Sequence, residues 1–152
     1  MKVSIPYFLW LRLLKGLRNR SKGIRESGAF LLRDNGSNKI CKVVYYNQFD
    51  ESVSDSGIIQ FKGGQKLYVY LAENNLEVFA DIHTHPTIDT EQSISDREHP
   101  MIRIKGHIAI IAPSFANSLF LMPEDCSFYE YKGSFCWRRI PPSAIPIKIK
   151  FL

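Results

Sequence analysis

The stretch that decides the fold of this chain lies near its middle and reads Val78-Phe79-Ala80-Asp81-Ile82-His83-Thr84-His85-Pro86. Residues 78–83 are mostly apolar and favour extended backbone, so they predict a central β-strand that cannot continue past Pro86. Side chains alternate between the two faces of a strand, so His83 and His85 project to the same side. The strand therefore presents two imidazoles together.

Two further polar residues follow the histidines at short range. Ser93 and Asp96 come after a spacer that is long enough for a loop to bring the Asp96 carboxylate back to the imidazoles. Two histidines and one carboxylate leave a fourth coordination position open for water, which is typical of catalytic zinc, whereas structural zinc is normally closed by four protein ligands. The spacing therefore predicts a catalytic zinc site with one ion per chain.

The whole pattern is HxHP, six residues, Ser, two residues, Asp, and it closely resembles the motif of the JAMM metallopeptidases. These enzymes are the zinc-binding branch of the MPN (Mov34/PAD-1, JAB-type) domain family. The family also has an upstream glutamate beside a strand of small and hydrophobic residues, which the run Glu26-Ser27-Gly28-Ala29-Phe30-Leu31-Leu32 resembles. The resemblance extends from Ile5-Pro6 to residues 106–111. One departure is Arg33-Asp34, where relatives often have glycine.

The resemblance implies a role for each matched residue. His83, His85 and Asp96 would be the zinc ligands. Glu26 would be the general base that takes a proton from water and later returns it, as an acid, to the departing amine. Ser93 would donate a hydrogen bond to the oxygen that becomes negative in the tetrahedral intermediate.

Other polar residues near the motif offer alternatives. Glu51 is a competing base, but it lies in a Ser/Asp-rich segment, residues 50–57, that predicts an exposed loop. Asp81 shares a strand face with the histidines and is positioned to orient a ligand. We expect Asp89 and Glu91 to be solvated loop charges. A second zinc site is disfavoured because its candidate ligands lack a typical spacing; they are His99, His107, Cys126 and Cys136.

Length and composition limit the class of protein. The chain has 152 residues, 45% hydrophobic and 23% charged, which is ordinary for a globular protein. We expect residues 1–152 to form one domain. Three cysteines indicate a reducing cytoplasm and no disulfide framework.

Charge and hydropathy bear on the partners. The net charge of +5 favours an acidic partner surface, but no nucleic-acid motif accompanies it, so we expect no nucleic-acid partner. The apolar run at residues 7–14 is too short to span a membrane and lacks a cleavage site after it. Basic residues follow it, and we interpret the segment as the first helix of the fold rather than a membrane-surface helix.

The remaining patterns predict the other elements. A helix is expected at residues 65–75, and a short one from about residue 97, capped by Ser95 or Asp96. Asn35-Gly36 predicts a hairpin turn, and residues after Pro141 predict an extended tail. Further strands are predicted at residues 28–32, 40–46, 106–112, 119–122, 128–132 and 135–140. These elements predict an α/β or α+β fold, a mixed sheet flanked by helices, and the family resemblance implies the same.

The resemblance also implies a function. It indicates a zinc isopeptidase that removes a ubiquitin-like modifier from its target or trims the modifier's C-terminal tail, which would pair with an edge strand of the cleft. Short bacterial JAB proteins of this type occur beside E1-like and E2-like enzymes, including those of antiphage defence. Two alternatives remain: a non-catalytic MPN scaffold, and a hydrolase of a small amide or thiocarboxylate-derived adduct.

Overall fold

A computed structural model describes residues 2–118 and 120–151. The helices are α1 (Tyr7–Ser21), α2 (Gly64–Asn74) and α3 (Ile94–Glu98). The strands are β1 (Val3–Pro6), β2 (Gly28–Asp34), β3 (Ile40–Tyr45), β4 (Glu51–Val53), β5 (Ile59–Phe61), β6 (Leu76–Thr84), β7 (Ile108–Ala112), β8 (Ser127–Gly133), β9 (Cys136–Ile140) and β10 (Ile147–Lys150).

Six strands form the central sheet in the order β3-β2-β6-β7-β8-β9. β6 and β7 run parallel, and the other neighbouring pairs are antiparallel. The sheet is therefore mixed, as predicted, and helices pack on both of its faces. β2 and β6 lie in the interior of the sheet, which is where the histidine motif needs rigid support.

The first face of the sheet is covered by α1. This helix has apolar residues at helical spacing, and its buried apolar side chains are Leu9, Trp10, Leu13, Leu14 and Leu17. The Trp10 indole N–H donates to the Leu121 carbonyl, 2.8 Å away, which satisfies the polar atom of a fully buried ring. Within the described part of the chain, α1 included, no helix has both the length and the apolar character needed to cross a bilayer.

The second face is covered by α2 and by the hairpin of β4 and β5. Leu67 of α2 packs with Phe30, Tyr46 and Ile59, all of them fully buried. The Phe30 and Tyr46 rings lie 4.8 Å apart. Since Phe30 faces this layer while Leu31 faces the α1 layer, β2 is buried on both sides, and its continuous apolar run follows from that position.

Most predicted elements are confirmed, with boundaries shifted by a few residues, and the strand predicted at residues 28–32 continues through Arg33-Asp34. The prediction of a loop over residues 50–57 is partly wrong, because residues 51–53 form β4 and pair with β5. Arg25 Nη2 lies 2.5 Å from Glu51 Oε2, so contacts outside the segment help to hold this polar strand. Local composition could not reveal that pairing.

The predictions for the ends of the chain differ most from the structure. The tail contains β10, which pairs in parallel with β1, a strand that the sequence patterns did not predict. Residues 120–122 are not a strand, and Leu119, also in that predicted strand, lies outside the described residues. Four-residue strands such as β1 and β10 are too short for a reliable alternating pattern, and their pairing joins distant parts of the chain.

Substitution of Gly28 tests how tightly β2 is held against the second layer. A methyl group on Gly28 would overlap the ring of Tyr46, which is fully buried and cannot move aside easily. We expect Gly28→Ala to lower the free energy of unfolding by about 1–3 kcal/mol in urea titrations, the usual cost of overpacking. Gly64→Ala is the matched control, because no atom lies within 4 Å of that added methyl group. Equal stability of the two variants would contradict this packing.

Candidate metal centre

Three separate parts of the fold bring four polar side chains together. β6 carries His83 near its end, and His85 follows directly. Gly28 pairs with His83 across the sheet, which places Glu26, just before β2, beside the histidines. The loop after Pro86 then returns to α3, which carries Asp96.

All four side chains are buried. Glu26 and His85 are 7% exposed, Asp96 is 6% exposed and His83 is 3% exposed. Burial of charged groups is costly unless they are paired or bound to a metal ion. The four groups therefore have to be understood as one cluster.

The ligand atoms lie at distances that suit one small ion. His83 Nε2 is 3.1 Å from Asp96 Oδ1, and His85 Nε2 is 3.0 Å from Asp96 Oδ2. Glu26 Oε2 lies 3.9 Å from His85 Nε2. Two ligand atoms about 2.0–2.2 Å from a tetrahedral ion lie about 3.3–3.6 Å apart. The two histidine–aspartate distances are slightly shorter than this value, and the Glu26–His85 distance is slightly longer. Ligand atoms of Glu26, His83 and His85 all lie within 4.8 Å of one another, so the cluster is compact enough to hold a metal ion.

The hydrogen bonding of His83 is that expected of a metal ligand. Neither ring nitrogen of this buried imidazole has a hydrogen-bond partner among the described residues, and Asp96 Oδ1, although close, is not aligned for one. A buried polar atom without a partner normally costs about 1–3 kcal/mol. A metal ion at Nε2 would satisfy one of these two atoms, so the arrangement fits a ligand better than a packed core histidine.

The hydrogen bond of His85 leads to the same conclusion. His85 Nδ1 lies 2.9 Å from the Asp89 carbonyl oxygen. A carbonyl only accepts, so Nδ1 carries the proton and the neutral ring has its lone pair on Nε2. That lone pair faces the Asp96 carboxylate, and two acceptors at 3.0 Å require a proton or a metal ion between them.

Ser93 holds Asp96 in place from the start of α3. The Ser93 N–H donates to Asp96 Oδ2 at 2.9 Å, and the Asp96 N–H donates to Ser93 Oγ at 3.0 Å. This reciprocal capping box makes Ser93 the N-cap, so the prediction of Ser95 or Asp96 as the cap is wrong. Ser93 Oγ acts here as an acceptor, and its own hydrogen remains available to a ligand.

Glu26 is anchored by the hairpin of β4 and β5, a feature that the sequence patterns did not reveal. The Ile59 N–H donates to Glu26 Oε1 at 3.1 Å, and the Glu26 N–H donates to the Gly57 carbonyl at 2.8 Å. Burial raises the pKa of the Glu26 carboxyl, although a charge on His83 and the Ile59 N–H act in the opposite direction. A raised pKa suits a group that must accept and release a proton near neutral pH.

The pKa values of the cluster show which charges its surroundings favour. Burial alone lowers the pKa of His83, but the carboxylates of Asp96 and Glu26 outweigh it and raise this pKa to about 9. Burial alone raises the pKa of Asp96, yet His83 holds it well below its ordinary value. The surroundings therefore favour one cation between two carboxylates, whether a proton or a metal ion.

A buried set of hydroxyl groups fixes the distance between the glutamate and the histidines. Ser27, next to Glu26, donates its N–H to Thr84 Oγ1 at 3.0 Å, and the Thr84 N–H donates to the Ser27 carbonyl at 2.9 Å. Ser21 Oγ, at the end of α1, lies 2.8 Å from Ser27 Oγ. These contacts tie β2, β6 and α1 together behind the cluster.

A left-handed turn after β7 supports the other side of the motif. Ser114, Phe115 and Ala116 have φ angles of 53°, 53° and 59°, which cost roughly 1–2 kcal/mol each for residues other than glycine. The Phe115 N–H donates to the His85 carbonyl at 2.8 Å, and the Ser114 N–H donates to the Thr87 carbonyl at 2.9 Å. The strained turn thus holds the backbone that carries His85.

The other candidate residues lie in different surroundings. Glu51 pairs with Arg25. Asp81 accepts hydrogen bonds from Tyr46 at 2.6 Å and from His107 at 2.5 Å, not from the motif histidines. His107 is therefore a buried histidine with a hydrogen-bond partner, and the expectation that Asp81 orients a ligand lacks a supporting contact.

Comparisons with solved structures identify the fold. The chain is similar to a protein from Desulfitobacterium hafniense, with a TM-score of 0.68 and 14% identity over 99% of this chain and 94% of the other. A JAB1/MPN domain protein from Archaeoglobus fulgidus has a TM-score of 0.50 and 16% identity, covering 99% of this chain and 97% of its own. A Salinibacter ruber protein has a TM-score of 0.56 and 16% identity, covering 93% and 89%.

No family model matches the sequence. Identities of 14–16% show a shared fold and nothing about activity. The mixed sheet, the flanking helices and the position of the histidine motif agree with the predicted architecture. The chain therefore has the fold of the JAB1/MPN domain proteins.

Proposed function

We propose that this protein is a zinc-dependent isopeptidase or peptidase that removes a ubiquitin-like modifier from its target or trims the modifier's C-terminal tail. The observation that carries the proposal is the convergence of Glu26 with His83, His85 and Asp96 in one buried cluster. In this proposal His83, His85 and Asp96 are the metal ligands. The fourth is a carboxylate of raised pKa within reach of the same ion.

Zinc is the metal we assign to the site. Imidazole nitrogens and a carboxylate suit this ion, and His83, His85 and Asp96 would hold it while a fourth position stays open. When bound, zinc supplies Lewis-acid chemistry and lowers the pKa of a coordinated water from about 15.7 to near 7.

The side chains divide the remaining work. Glu26 Oε1 is held by the Ile59 N–H, so Oε2 is the atom that takes a proton from water and later passes it to the departing amine. Ser93 can donate its hydroxyl hydrogen to the developing oxyanion while its oxygen still accepts from the Asp96 N–H. One serine therefore caps α3 and serves the reaction.

The surface next to the cluster offers room for a substrate. A small depression beside His83 and Asp96 is lined by Pro100 and Met101, and these two residues also border a cavity of about 440 Å³. We expect the substrate tail to approach the cluster from this side.

The hairpin offers a second support for tail binding. Among the described strands, β4 and β5 pair only with one another, so each has one edge without a strand partner. Since the Ile59 N–H contacts Glu26, a tail paired with this hairpin would pass close to the catalytic carboxylate.

The biological setting belongs to the proposal as well. We assign the protein to a bacterial ubiquitin-like conjugation or antiphage defence system, acting in the cytoplasm beside E1-like and E2-like enzymes. The support is the resemblance of the motif to short bacterial JAB proteins and the presence of three free cysteines in the chain.

Zinc binding tests the ligand set. We expect about one zinc per chain after metal-replete expression, and loss of that zinc in His83→Ala, His85→Ala and Asp96→Ala, because each removes one of three ligands. Elemental analysis measures the occupancy, and His99→Ala is the control, since this exposed histidine contacts Ser95 instead. A wild-type protein without zinc would favour a non-catalytic scaffold.

Cleavage assays test the reaction and the base. Wild-type protein should release the fluorophore from one of a panel of ubiquitin-like modifiers that carry a C-terminal fluorogenic amide. A chelator should abolish release, and zinc should restore it. We expect Glu26→Gln to retain zinc while kcat falls by about 10²–10⁴-fold, since the amide still accepts from the Ile59 N–H but cannot take a proton.

Glu51→Gln is the matched control for the base, because it removes a carboxylate that pairs with Arg25 outside the cluster. Its turnover should stay near that of the wild type. Normal turnover in Glu26→Gln, together with loss in Glu51→Gln, would show that the base is wrongly assigned.

Substitution of Ser93 separates its two tasks. In Ser93→Ala the backbone N–H still holds Asp96 Oδ2, so we expect zinc to be retained. The donor to the oxyanion is lost, and kcat should fall by about 10²–10³-fold with little change in KM. Ser93→Thr keeps the hydroxyl and serves as the control. Loss of zinc from Ser93→Ala would indicate that Ser93 only positions Asp96.

A further inference from the structure

A loop between the histidine motif and α3 determines which ring nitrogen of His85 can bind a metal ion. The Asp89 carbonyl in this loop lies 2.9 Å from His85 Nδ1 and fixes the proton there. The orientation of the Asp89–Thr90 peptide therefore decides whether Nε2 is free to act as a ligand.

Two side chains of β8 hold this loop at Thr90. The Tyr129 hydroxyl donates to the Thr90 carbonyl at 2.8 Å, and Ser127 Oγ lies 2.5 Å from Thr90 Oγ1. Arg139 Nη2 also donates to Ser127 Oγ at 3.0 Å, which helps to fix the Ser127 hydroxyl beside Thr90. The loop is thus joined to the central sheet by a backbone and a side-chain contact at one residue.

The other contacts of the loop could not hold it in place if those of Thr90 with β8 were lost. The Thr87 carbonyl accepts from the Ser114 N–H, which fixes only the start of the loop. Asp89 bonds within the loop itself, from its N–H to Thr87 Oγ1 and from the Glu91 N–H to its own Oδ1. Glu91 Oε1 also lies 3.9 Å from Arg139 Nη1 of β9, but both side chains are largely exposed, so this ion pair holds the loop only weakly. The buried contacts that join the loop to the sheet between Thr87 and α3 are those of Thr90.

We infer that Tyr129 and Ser127 are positioning residues for the metal ligand His85, acting through Thr90 and the Asp89 carbonyl. Both are nearly buried, at 6% and 5% exposed, so their hydroxyl groups have little water to turn to and the contacts are costly to break. Burial also raises the pKa of Tyr129, which keeps its hydroxyl protonated as a donor.

The inference rests on the proposed zinc site and adds to it residues that do not touch the ion. A partner that fixes the tautomer of a metal-bound histidine also raises its basicity, and removal of such a partner typically weakens metal binding by about 10–100-fold. The effect should therefore appear in metal affinity itself, before any substrate is added.

The test compares two tyrosines of one strand. Tyr129→Phe removes the hydroxyl that holds Thr90. Tyr131→Phe is the matched control, because Tyr131 is equally buried in β8 but its hydroxyl accepts from the Phe135 N–H, away from the loop. Zinc competition with a chromophoric chelator should give a Kd about 10–100-fold weaker in Tyr129→Phe and near wild type in Tyr131→Phe.

A second readout reports on His85 directly. In the zinc-loaded protein, the His85 Nδ1–H should exchange with solvent faster in Tyr129→Phe than in Tyr131→Phe, as observed by ¹⁵N NMR. Thr90→Val, which leaves β8 intact and removes only the contact to Ser127, should show a smaller shift of both readouts in the same direction.

Each outcome bears on the inference. Equal zinc affinity and equal exchange in the two tyrosine variants would overturn it while leaving the proposed function intact. A wild-type protein that binds no zinc would overturn both. If the two tyrosine variants differ as predicted but the wild-type protein cleaves no modifier, the proposed function alone is refuted.

Discussion

Two imidazoles and two carboxylates share one buried volume, and the need to hold a cation among them is the constraint on which the rest of the structure depends. Three of the four groups have a hydrogen-bond partner outside the cluster. Asp96 is held by the Ser93 N–H, Glu26 by the Ile59 N–H, and His85 by the Asp89 carbonyl. His83 has no hydrogen-bond partner among the described residues. Burial of these groups without a cation would lower the stability of the fold, whereas a bound metal ion would compensate for it.

The fold serves this cluster from several directions. The pairing of β2 with β6 sets the glutamate beside the histidines, and the buried hydroxyl groups of Ser21, Ser27 and Thr84 lock that register. The left-handed turn at residues 114–116 holds the His85 backbone despite its strain. Strain of this kind persists where the surrounding structure over-determines it, and it commonly accompanies functional sites. These contacts make the surroundings of the cluster rigid, as a preformed metal site requires.

The sequence predicts the central features well because they depend on local patterns. The apolar run before His83 predicts β6, and the motif spacing together with the upstream glutamate predicts the cluster that the structure assembles. What the sequence misses depends on contacts between distant segments. β4 is polar and pairs with β5 beside Glu26, β1 pairs with β10 from the other end of the chain, and Tyr129 reaches the histidine loop from β8. No local pattern distinguishes a tyrosine that packs from one that positions a ligand.

X-ray absorption at the zinc edge is the sharpest test of the metal site, because it reports the ligands of the bound ion without a substrate. We expect a four-coordinate zinc with two imidazoles and with oxygen donors completing the shell at about 2.0–2.2 Å. Loss of one imidazole contribution in His83→Ala and in His85→Ala would assign both. A shell with sulfur at about 2.3 Å would instead place the zinc at cysteines such as Cys41 or Cys136, and a shell with fewer than two imidazoles would contradict the site described here.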